Sequence, residues 1–235
     1  MSLGNIFHII LYQPILNLLI LLYYYLPGHD LIWAVIVLTL ILKLALHPIS
    51  MKAVIVQEAM NKIDPKMKEV REKYKDDPAK QSKEIMALYK EHHVNPWSSL
   101  MYPLIQLPII IVLFRIFQDL SILGLSSNLY SFTPIIDLTE MTFLGNPNLT
   151  QPSIILAILA GLAQYWQQKT MPTPAKKSSW QKNMIYFFPA FTFFILTRFS
   201  AVLGVYWLIN ILFTIGQQYY LKRKRTCSDP LKQKK

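Results

Sequence analysis

The apolar residues of this chain gather in runs long enough to cross a bilayer, instead of alternating with polar residues as they would in a soluble fold. Five runs predict membrane-spanning helices, at about residues 31–49, 97–120, 153–168, 184–197 and 202–221. Only four residues separate the fourth run from the fifth, which indicates a tight helical hairpin. The pattern predicts an all-α integral membrane protein with five transmembrane helices.

A further apolar stretch, residues 3–26, is long enough to span but carries polar side chains, among them Asn5, Gln13 and Asn17, and ends in three tyrosines. This mixture is typical of a helix that lies in the membrane interface. Hydropathy alone leaves a sixth transmembrane helix as the alternative. The charge pattern favours the interfacial helix, because a spanning segment would place an uncharged N-terminus in the cytoplasm.

Between the first two spans, residues 50–96 carry ten basic and eight acidic side chains and must lie outside the membrane. The apolar residues that predict one face of a first helix are Val56, Met60, Ile63, Met67, Val70 and Tyr74. Pro65 is expected to break or restart this helix, because proline removes a backbone donor. Asp77 and Pro78 predict the N-cap and first position of a second helix that runs to about His92. The segment is therefore predicted to be a charged helical hairpin.

The formal net charge of +11 follows the loops between the apolar runs. Ten basic residues fall in the hairpin, four in the loop 169–182 and seven in the tail 222–235, whereas the alternate loops hold almost none. By the positive-inside rule these three regions are cytoplasmic, which places the N-terminus outside and makes this a multi-pass protein of the cell membrane. Because topology explains the basic residues, direct DNA binding is not expected.

The sequence divides into an N-terminal interfacial helix at 1–28, a membrane core at 29–221 that includes the cytoplasmic hairpin 50–96, and a basic cytoplasmic tail at 222–235. The single cysteine, Cys227, excludes an intrachain disulfide and offers no cluster that could bind a metal. The histidines have no accompanying carboxylate or cysteine constellation, so they do not predict an active site. Neither a cofactor nor an enzymatic activity is expected.

Lys43 lies deep inside the first span. Twelve uncharged residues precede it from Leu31, which at ~1.5 Å per residue sets it ~18 Å into a hydrocarbon core ~30 Å thick. A lysine at that depth costs ~2.5 to 3.5 kcal/mol unless it faces a wet cavity or a partner. The only carboxylate inside the five spans is that of Asp119, near the outer end of its helix. The sequence therefore favours a cation that faces a wet cavity over one half of an ion pair.

The spans also contain neutral polar residues suited to line such a cavity. They are Thr39, Gln106, Gln164, Gln167, Gln168, Trp207 and Asn210. With Lys43 as a fixed positive charge, they predict a water-filled groove open to the cytoplasm. The alternative is that each satisfies a local backbone carbonyl or a helix contact. That alternative is favoured for Gln167 and Gln168 near a helix end, and the groove is favoured for Gln106, which lies between two prolines.

Short motifs follow one another in a specific order along most of the chain. They are His47-Pro48-Ile49-Ser50, Met86-Ala87-Leu88-Tyr89-Lys90, Val94-Asn95-Pro96, Pro103-Leu104-Ile105-Gln106-Leu107-Pro108, Gln168-Lys169, Phe188-Pro189, Tyr206-Trp207 and Gln217-Gln218. Together, over about residues 12–225, they resemble the YidC/Oxa/Alb family of membrane protein insertases. The resemblance implies that the protein inserts and folds nascent membrane proteins, alone or beside the Sec translocon, without making or breaking a bond.

The resemblance also implies roles for residues by position. Lys43 would be the cation of a hydrophilic groove, open to cytoplasm and lipid, that attracts acidic N-terminal tails of substrates. The polar lining of that groove would be Thr39, Gln106, Gln168 and Trp207. The hairpin residues that receive the nascent segment would be Met86, Leu88 and Tyr89. The basic tail would contact ribosomes.

The chain departs from the family pattern in several places. Arginine usually stands at the position of Lys43, and lysine, unlike arginine, can lose its proton when desolvated. Trp97-Ser98-Ser99 replaces small glycine-rich residues, and Phe199-Ser200-Ala201-Val202 replaces a Phe-Pro-x-Gly turn. The resemblance implies the minimal core of the family, without the large extracytoplasmic domain of some relatives.

A small transporter or channel that binds an anionic solute at Lys43 is the alternative function. A transporter should show inverted or parallel repeats between its halves, and five unequal spans with one long hairpin show none. A ribosome-binding or nucleic-acid-binding anchor would rest on the tail alone, where basic residues more often determine topology or face lipid. The insertase hypothesis is therefore preferred.

Overall fold

The structure, a computed structural model, describes residues 3–119, 128–136, 151–170 and 179–228. Every regular element in these ranges is helical, as predicted for the fold class. In chain order the elements are α1 (Leu3–Phe7), a π-helical turn (His8–Tyr12), α2 (Gln13–Tyr25), α3 (Leu31–Ala45), α4 (His47–Lys73), α5 (Pro78–Glu91), α6 (Pro96–Asp119), α7 (Ile154–Thr170), α8 (Ser179–Leu196) and α9 (Ala201–Ser228). The loop residues Asp137, Glu140, Lys176 and Lys177 and the tail residues 229–235, on which part of the predicted charge pattern rests, lie outside the described residues.

The N-terminal helix widens just before Pro14. A proline has no backbone N–H, and its ring crowds the carbonyl one turn earlier, here that of Ile10. The π-helical turn His8–Tyr12 opens the backbone at this place, and α2 continues from Gln13. Such a turn lets a helix accommodate a residue that regular α geometry would exclude.

One face of α2 is buried in the main hydrophobic core. Leu16, Leu19 and Ile20 are buried there with residues of α3, α6 and α9. Those partners include Leu31, Val35, Leu38, Val112, Leu113, Ile116, Val202 and Tyr206. The four helices therefore share one core, and the interfacial location of residues 3–26 stays a prediction.

The first predicted span is divided by an elbow. α3 ends at Ala45 and α4 begins at His47, and the two helices are bent by 64° against each other. Pro48 explains the break, because near the start of a new helix it needs no N–H partner, whereas inside a continuous helix it would remove a bond and clash with Leu44. The prediction that this span runs to Ile49 is corrected accordingly: the straight helix stops earlier.

The prediction that Pro65 breaks or restarts the first hairpin helix is wrong. α4 runs without a break and contains Pro65 in its interior. A proline inside a helix costs about 3 kcal/mol, but the neighbouring turns are held from both sides. Lys68 Nζ lies 2.6 Å from Asp64 Oδ2, and Ile63 and Met67 are buried against α5. Packing around the proline therefore outweighs its local preference.

The α4–α5 hairpin has a small hydrophobic core of its own. Its buried residues are Ile63, Met67 and Val94, with Val56, Ala59, Met60, Ile85, Leu88 and Tyr89 packed against them. The predicted start of α5 is confirmed: Pro78 is its first residue, and the Asp77 carboxylate accepts a hydrogen bond from Lys80 N at 3.0 Å. This cap fixes the turn between the two arms.

α5 ends in a left-handed turn at His93. Val94 N donates to Tyr89 O at 2.9 Å and His93 N donates to Lys90 O at 3.1 Å, which are the two bonds of a Schellman motif. His93 has a φ of 51°, a conformation that favours glycine because a Cβ is disfavoured there. The motif buries Val94 and leads the chain into α6.

Small residues let α7 lie close to α8 and α9. Ala160 and Gly161 of α7 are buried. A Cβ on Gly161 would lie 3.4 Å from the carbonyl oxygen of Pro189 in α8, and one on Gly204 of α9 would lie 3.3 Å from Leu156 Cβ. Close backbone approach at small residues is how helices gain contact inside membranes.

Length and composition identify the helices that could cross a membrane. Within the described ranges, the helices Gly4–Tyr25 and Ala201–Leu221 are long enough and apolar enough to cross a membrane. The bent pair α3 and α4 adds a third candidate if the two helices are counted as one span. Shorter apolar helices, Leu104–Gln118 and Asn183–Leu196, lie within α6 and α8. The chain is therefore a helical membrane protein, and the count of five spans stays a prediction.

Candidate functional site in the membrane core

Lys43 is 3% exposed and faces α9. Its Nζ donates to Thr214 Oγ1 at 3.3 Å and lies 5.9 Å from the centre of the Phe213 ring. A cation over an aromatic face gains about 0.5 to 2 kcal/mol, the larger value when it is desolvated. The structure thus gives the predicted groove cation a neutral hydroxyl and an aromatic ring as neighbours, and its role stays a prediction.

A stripe of polar side chains follows one face of α9. Its members, which we call the α9 polar stripe, are Tyr206, Asn210, Thr214 and Gln217, spaced four, four and three apart as one helical face requires. Asn210 Nδ2 donates to the Tyr206 hydroxyl at 3.3 Å, and Thr214 Oγ1 donates to Asn210 O at 2.8 Å. Lys43 therefore joins a polar line that continues along the helix.

Gln106 of α6 reaches the same stripe. Its Nε2 donates to the Tyr206 hydroxyl. Its Oε1 is buried and has no hydrogen-bond partner among the described residues. A buried polar atom without a partner costs about 1 to 3 kcal/mol. The oxygen is therefore a buried hydrogen-bond acceptor that no described residue satisfies.

The α9 polar stripe ends on the elbow between α3 and α4. Gln217 Nε2 lies 2.6 Å from His47 Nδ1 and donates to Ser50 Oγ at 3.0 Å, while Ser50 Oγ donates to His47 O at 3.0 Å. Since Gln217 donates to Nδ1, the imidazole proton is assigned to Nε2. These three residues, the elbow cluster, join two sequence motifs that lie 170 residues apart.

Three of the lining residues that the family resemblance implies, Thr39, Gln168 and Trp207, make no contact with the α9 polar stripe that the structure records. Thr39 Oγ1 donates to Val35 O at 2.6 Å within α3. Gln168 is half-buried, whereas its neighbour Gln167 is buried. Trp207 packs against Ala157, Ala160 and Leu196. The contacts of Thr39 and Trp207 are those of the local alternative, and the role of all three as groove lining stays a prediction.

Met86 and Tyr89 line a pocket at the end of the hairpin, which we call the hairpin pocket. It measures about 560 Å³, and its other lining residues are Lys90, His93, Val94, Asn95 and Trp97. Met86 is 54% exposed and Trp97 is 70% exposed, so the apolar wall of the pocket is open. Leu88, the third predicted hairpin residue, packs instead against the hairpin core.

Sequence reasoning missed Thr214, Gln217 and Ser50 as members of the site. The spacing of polar residues along α9 was an available signal, because polar residues three and four apart in an apolar helix share a face. The contacts of α9 with α3 and α4 could not be predicted from the sequence, because no spacing rule relates residues that are 170 positions apart. The site is thus assembled from tertiary contacts.

Comparison with protein families decides which family this is. The model of the family described as 60Kd inner membrane protein matches residues 22–228, most of the chain. The chain belongs to this family. Membership in the 60Kd inner membrane protein family confirms the resemblance to the YidC/Oxa/Alb proteins that the ordered motifs carry.

Relatives in the 60Kd inner membrane protein family carry the name Membrane protein insertase YidC. One, from Campylobacter jejuni, is 33% identical over 211 residues, which are 90% of this chain and 37% of the relative. Another, from Clostridium tetani, is 33% identical over 202 residues, which are 84% of each chain. The chain therefore spans less than two fifths of the length of the first relative and most of the second.

A solved structure from the family has the same fold. It is described as an active YidC insertase crystal structure with the first transmembrane domain resolved, and it superimposes with a TM-score of 0.61 at 21% identity. The match covers 89% of this chain and 46% of that one. The likeness confirms the predicted helical membrane fold.

Proposed function

We propose that this protein is a membrane protein insertase and chaperone, which inserts and folds nascent membrane proteins laterally into the bilayer without making or breaking a covalent bond. Family membership and the names of the relatives support this activity. The observation that carries the proposal is the burial of Lys43 beside neutral polar groups of α9. Such a cation is positioned to attract a charge that arrives from elsewhere.

The buried ammonium has the electrostatic strength that this role needs. At 4 Å and an effective dielectric of 20, two unit charges attract by ~4 kcal/mol, against ~1 kcal/mol in bulk water. The printed hydrogen bond of this ammonium goes to the Thr214 hydroxyl, which is a neutral group and leaves the positive charge uncompensated by that contact. An acidic N-terminal tail that reaches Lys43 therefore recovers part of the cost of leaving water. Gln106 Oε1 offers an acceptor to a peptide N–H on the same route.

The hairpin pocket suits the first contact with an apolar nascent segment. Methionine fills irregular gaps with a flexible, polarizable chain, which lets one surface accept many shapes. Met86, Tyr89 and Trp97 combine that flexibility with aromatic surface. We propose that the pocket holds an apolar side chain of the segment before it passes to the groove, with Leu88 supporting the pocket from the hairpin core.

The proposed orientation has the N-terminus outside and the hairpin and tail in the cytoplasm. α9 continues past Leu221, the end of the predicted fifth span, to Ser228, so the basic tail begins as a helix. Nascent membrane proteins are the proposed substrates. The Sec translocon and the ribosome, the latter at the tail, are proposed partners on the ground of the family resemblance.

Reconstitution of the full chain in liposomes tests the charge model. The substrate is a single-span protein with a short acidic N-tail, paired with a version whose tail aspartates are asparagines. We expect Lys43→Arg to retain insertion of both. Lys43→Met, which keeps most of the side-chain length and removes the charge, should lower insertion of the acidic-tailed substrate about tenfold, or ~1.4 kcal/mol, and affect the neutral-tailed one less.

Lys62→Gln is the matched control, because it removes one exposed lysine from the hairpin and should leave both substrates unaffected. Wild-type protein that inserts neither substrate above protein-free liposomes would refute the insertase function. Equal losses for the two tails in Lys43→Met would refute the charge model alone.

A further inference from the structure

A cleft is lined by residues near the beginning of α4 and residues near the beginning of α6. It measures about 370 Å³, and its lining residues are Ile49, Lys52, Ile55, Val56, Ser98, Met101 and Ile105. None of these belongs to the α9 polar stripe, the elbow cluster or the hairpin pocket. We call it the α4–α6 cleft.

The chemistry of the α4–α6 cleft is amphipathic. Five of its seven lining residues are apolar, and Ile55 and Met101 leave large parts of their side chains exposed. The polar side chains are Lys52, which is exposed, and Ser98, which is half-buried. An open apolar surface next to one cation and one hydroxyl matches a ligand with an apolar chain and an anionic head.

The position of the cleft along the helices sets its depth. Residues 49–56 directly follow the elbow, and residues 98–105 form the first turns of α6. Both lie where the predicted first and second spans meet the cytoplasmic side. Trp97, exposed at the start of α6, is the residue type that marks the headgroup level of a membrane. The cleft therefore opens at the boundary between headgroups and acyl chains.

The volume of the cleft discriminates between occupants. A helix with its side chains is about 10 to 12 Å across, so 370 Å³ holds less than about one helical turn. An apolar nascent helix is therefore too wide to enter, whereas part of a single extended acyl chain fits. Basic pockets between membrane helices on the cytoplasmic side are known to bind anionic lipid headgroups.

We propose that the α4–α6 cleft binds one anionic phospholipid of the cytoplasmic leaflet, with an acyl chain between α4 and α6 and the phosphate at Lys52 and Ser98. The bound lipid fills the gap between the hairpin arm and the bundle. This inference rests on the proposed membrane orientation and not on insertion activity.

Native mass spectrometry of the full chain in detergent tests the proposal. The probes are phosphatidylglycerol and phosphatidylcholine with identical acyl chains, titrated separately. We expect one phosphatidylglycerol molecule to bind about fivefold more tightly than phosphatidylcholine, the ratio that one lysine at a membrane surface provides. Lys52→Gln should remove this preference, and Met101→Trp, which fills the cleft, should weaken binding of both lipids.

Lys62→Gln is again the matched control, since this exposed lysine lies on α4 away from the cleft. Lys52 and Met101 are both exposed, so neither substitution should unfold the protein. Unchanged phosphatidylglycerol preference in Lys52→Gln would overturn the proposal. Displacement of the lipid by inorganic phosphate would also overturn it in favour of a soluble anion, and displacement by an extended apolar peptide in favour of a nascent chain.

A photoreactive phosphatidylglycerol added to the liposomes gives an independent readout. Crosslinks to peptides of α4 and α6 around the cleft support the site, and crosslinks confined to other helices contradict it. Because neither readout uses a substrate, a failed insertion assay and a failed lipid assay remain distinguishable.

Discussion

Gln217 Nε2 lies 2.6 Å from His47 Nδ1, and this contact ties α9 to the first turn of α4. Only Leu46 separates α3 from α4. A single linking residue leaves the direction of α4 open to rotation about its backbone dihedrals. The bonds that Gln217 makes to His47 and Ser50 therefore hold the first turn of α4 against α9, in addition to the packing of α4 on α6.

Removal of this tie should loosen the elbow. Gln217→Leu leaves the buried Ser50 hydroxyl and His47 ring without their α9 partner, which should cost about 1 to 3 kcal/mol. Spin labels at Ala79→Cys on the hairpin and Leu162→Cys on α7, in a Cys227→Ser background, report the distance between them. We expect a broader distance distribution in Gln217→Leu than in the parent.

Gln218→Leu is the control for that experiment. It is the neighbouring position and the same substitution, but the bond it removes comes from Thr170 Oγ1 of α7, at 3.0 Å from Gln218 Oε1. The spin-label distribution should then stay as narrow as in the parent. Equal broadening by the two variants would show that the elbow cluster has no specific role.

Asn17 should be the most sensitive polar position of the N-terminal helix. It is 2% exposed, and its Oδ1 accepts from Tyr130 N at 2.8 Å and from Thr133 Oγ1 at 2.6 Å, while its Nδ2 donates to Asn128 O at 3.0 Å. Asn17→Leu leaves the loop atoms Tyr130 N, Thr133 Oγ1 and Asn128 O without this hydrogen-bond partner. We therefore expect a loss of about 2 to 4 kcal/mol in the free energy of unfolding. Titration with a denaturing detergent measures it.

The matched substitution on the same helix is Gln13→Leu. The Gln13 backbone oxygen accepts from Asn17 Nδ2, and that bond survives the change of side chain. Gln13 is half-buried, and a substitution there that spares this bond should stay within about 0.5 kcal/mol of the parent. If Gln13→Leu were as costly as Asn17→Leu, the loop contacts of Asn17 would not be the cause.

His93→Gly should stabilise the end of the hairpin. The φ of 51° at His93 is strained for a residue with a Cβ and ordinary for glycine. We expect a gain of about 0.5 to 1 kcal/mol in the opening free energy of hairpin amides, measured by hydrogen exchange. His92→Gly, one residue earlier at φ −91°, should instead lose protection, and a gain in both variants would contradict the explanation.

Two glycines of α9 should respond differently to alanine. A Cβ on Gly216 meets nothing within 4 Å, so Gly216→Ala should add about 0.5 to 1 kcal/mol by removing a flexible residue from a helix. A Cβ on Gly204 would lie 3.3 Å from Leu156 Cβ, so Gly204→Ala should gain nothing. Thermal unfolding of the two variants in the same detergent checks the difference in sign.

Local patterns determined much of the fold in advance. The N-cap at Asp77, the first helical position of Pro78 and the apolar face at Ile63 and Met67 all follow from short-range rules, and the structure confirms them. Pro65 does not break α4, although proline usually ends a helix, because the adjacent turns pack against α5 and hold the helix together. The same residue type broke the helix at Pro48, where it stands in the first turn of α4 and its missing N–H costs nothing.

The candidate site was less predictable than the fold. The depth of Lys43 was visible from the length of its apolar run, but its contact with Thr214 depends on how α3 packs against α9. The Tyr206-Trp207 motif did not predict which of its two residues makes polar contacts. Trp207 packs between helices, whereas its neighbour Tyr206 makes the hydrogen bonds. A residue's position along a helix shows its depth, and only tertiary packing shows its partner.

A rotation of α4 about Leu46 moves the far end of this helix much more than its first turn. α4 has 27 residues, so it is ~40 Å long, whereas Ser50 lies only ~6 Å from Leu46 along the helix. A displacement of ~1 Å at Ser50 therefore corresponds to a displacement of ~7 Å at the C-terminal end of α4, in proportion to these two lengths. The position of the hairpin tip is thus sensitive to a side chain that is buried inside the bundle.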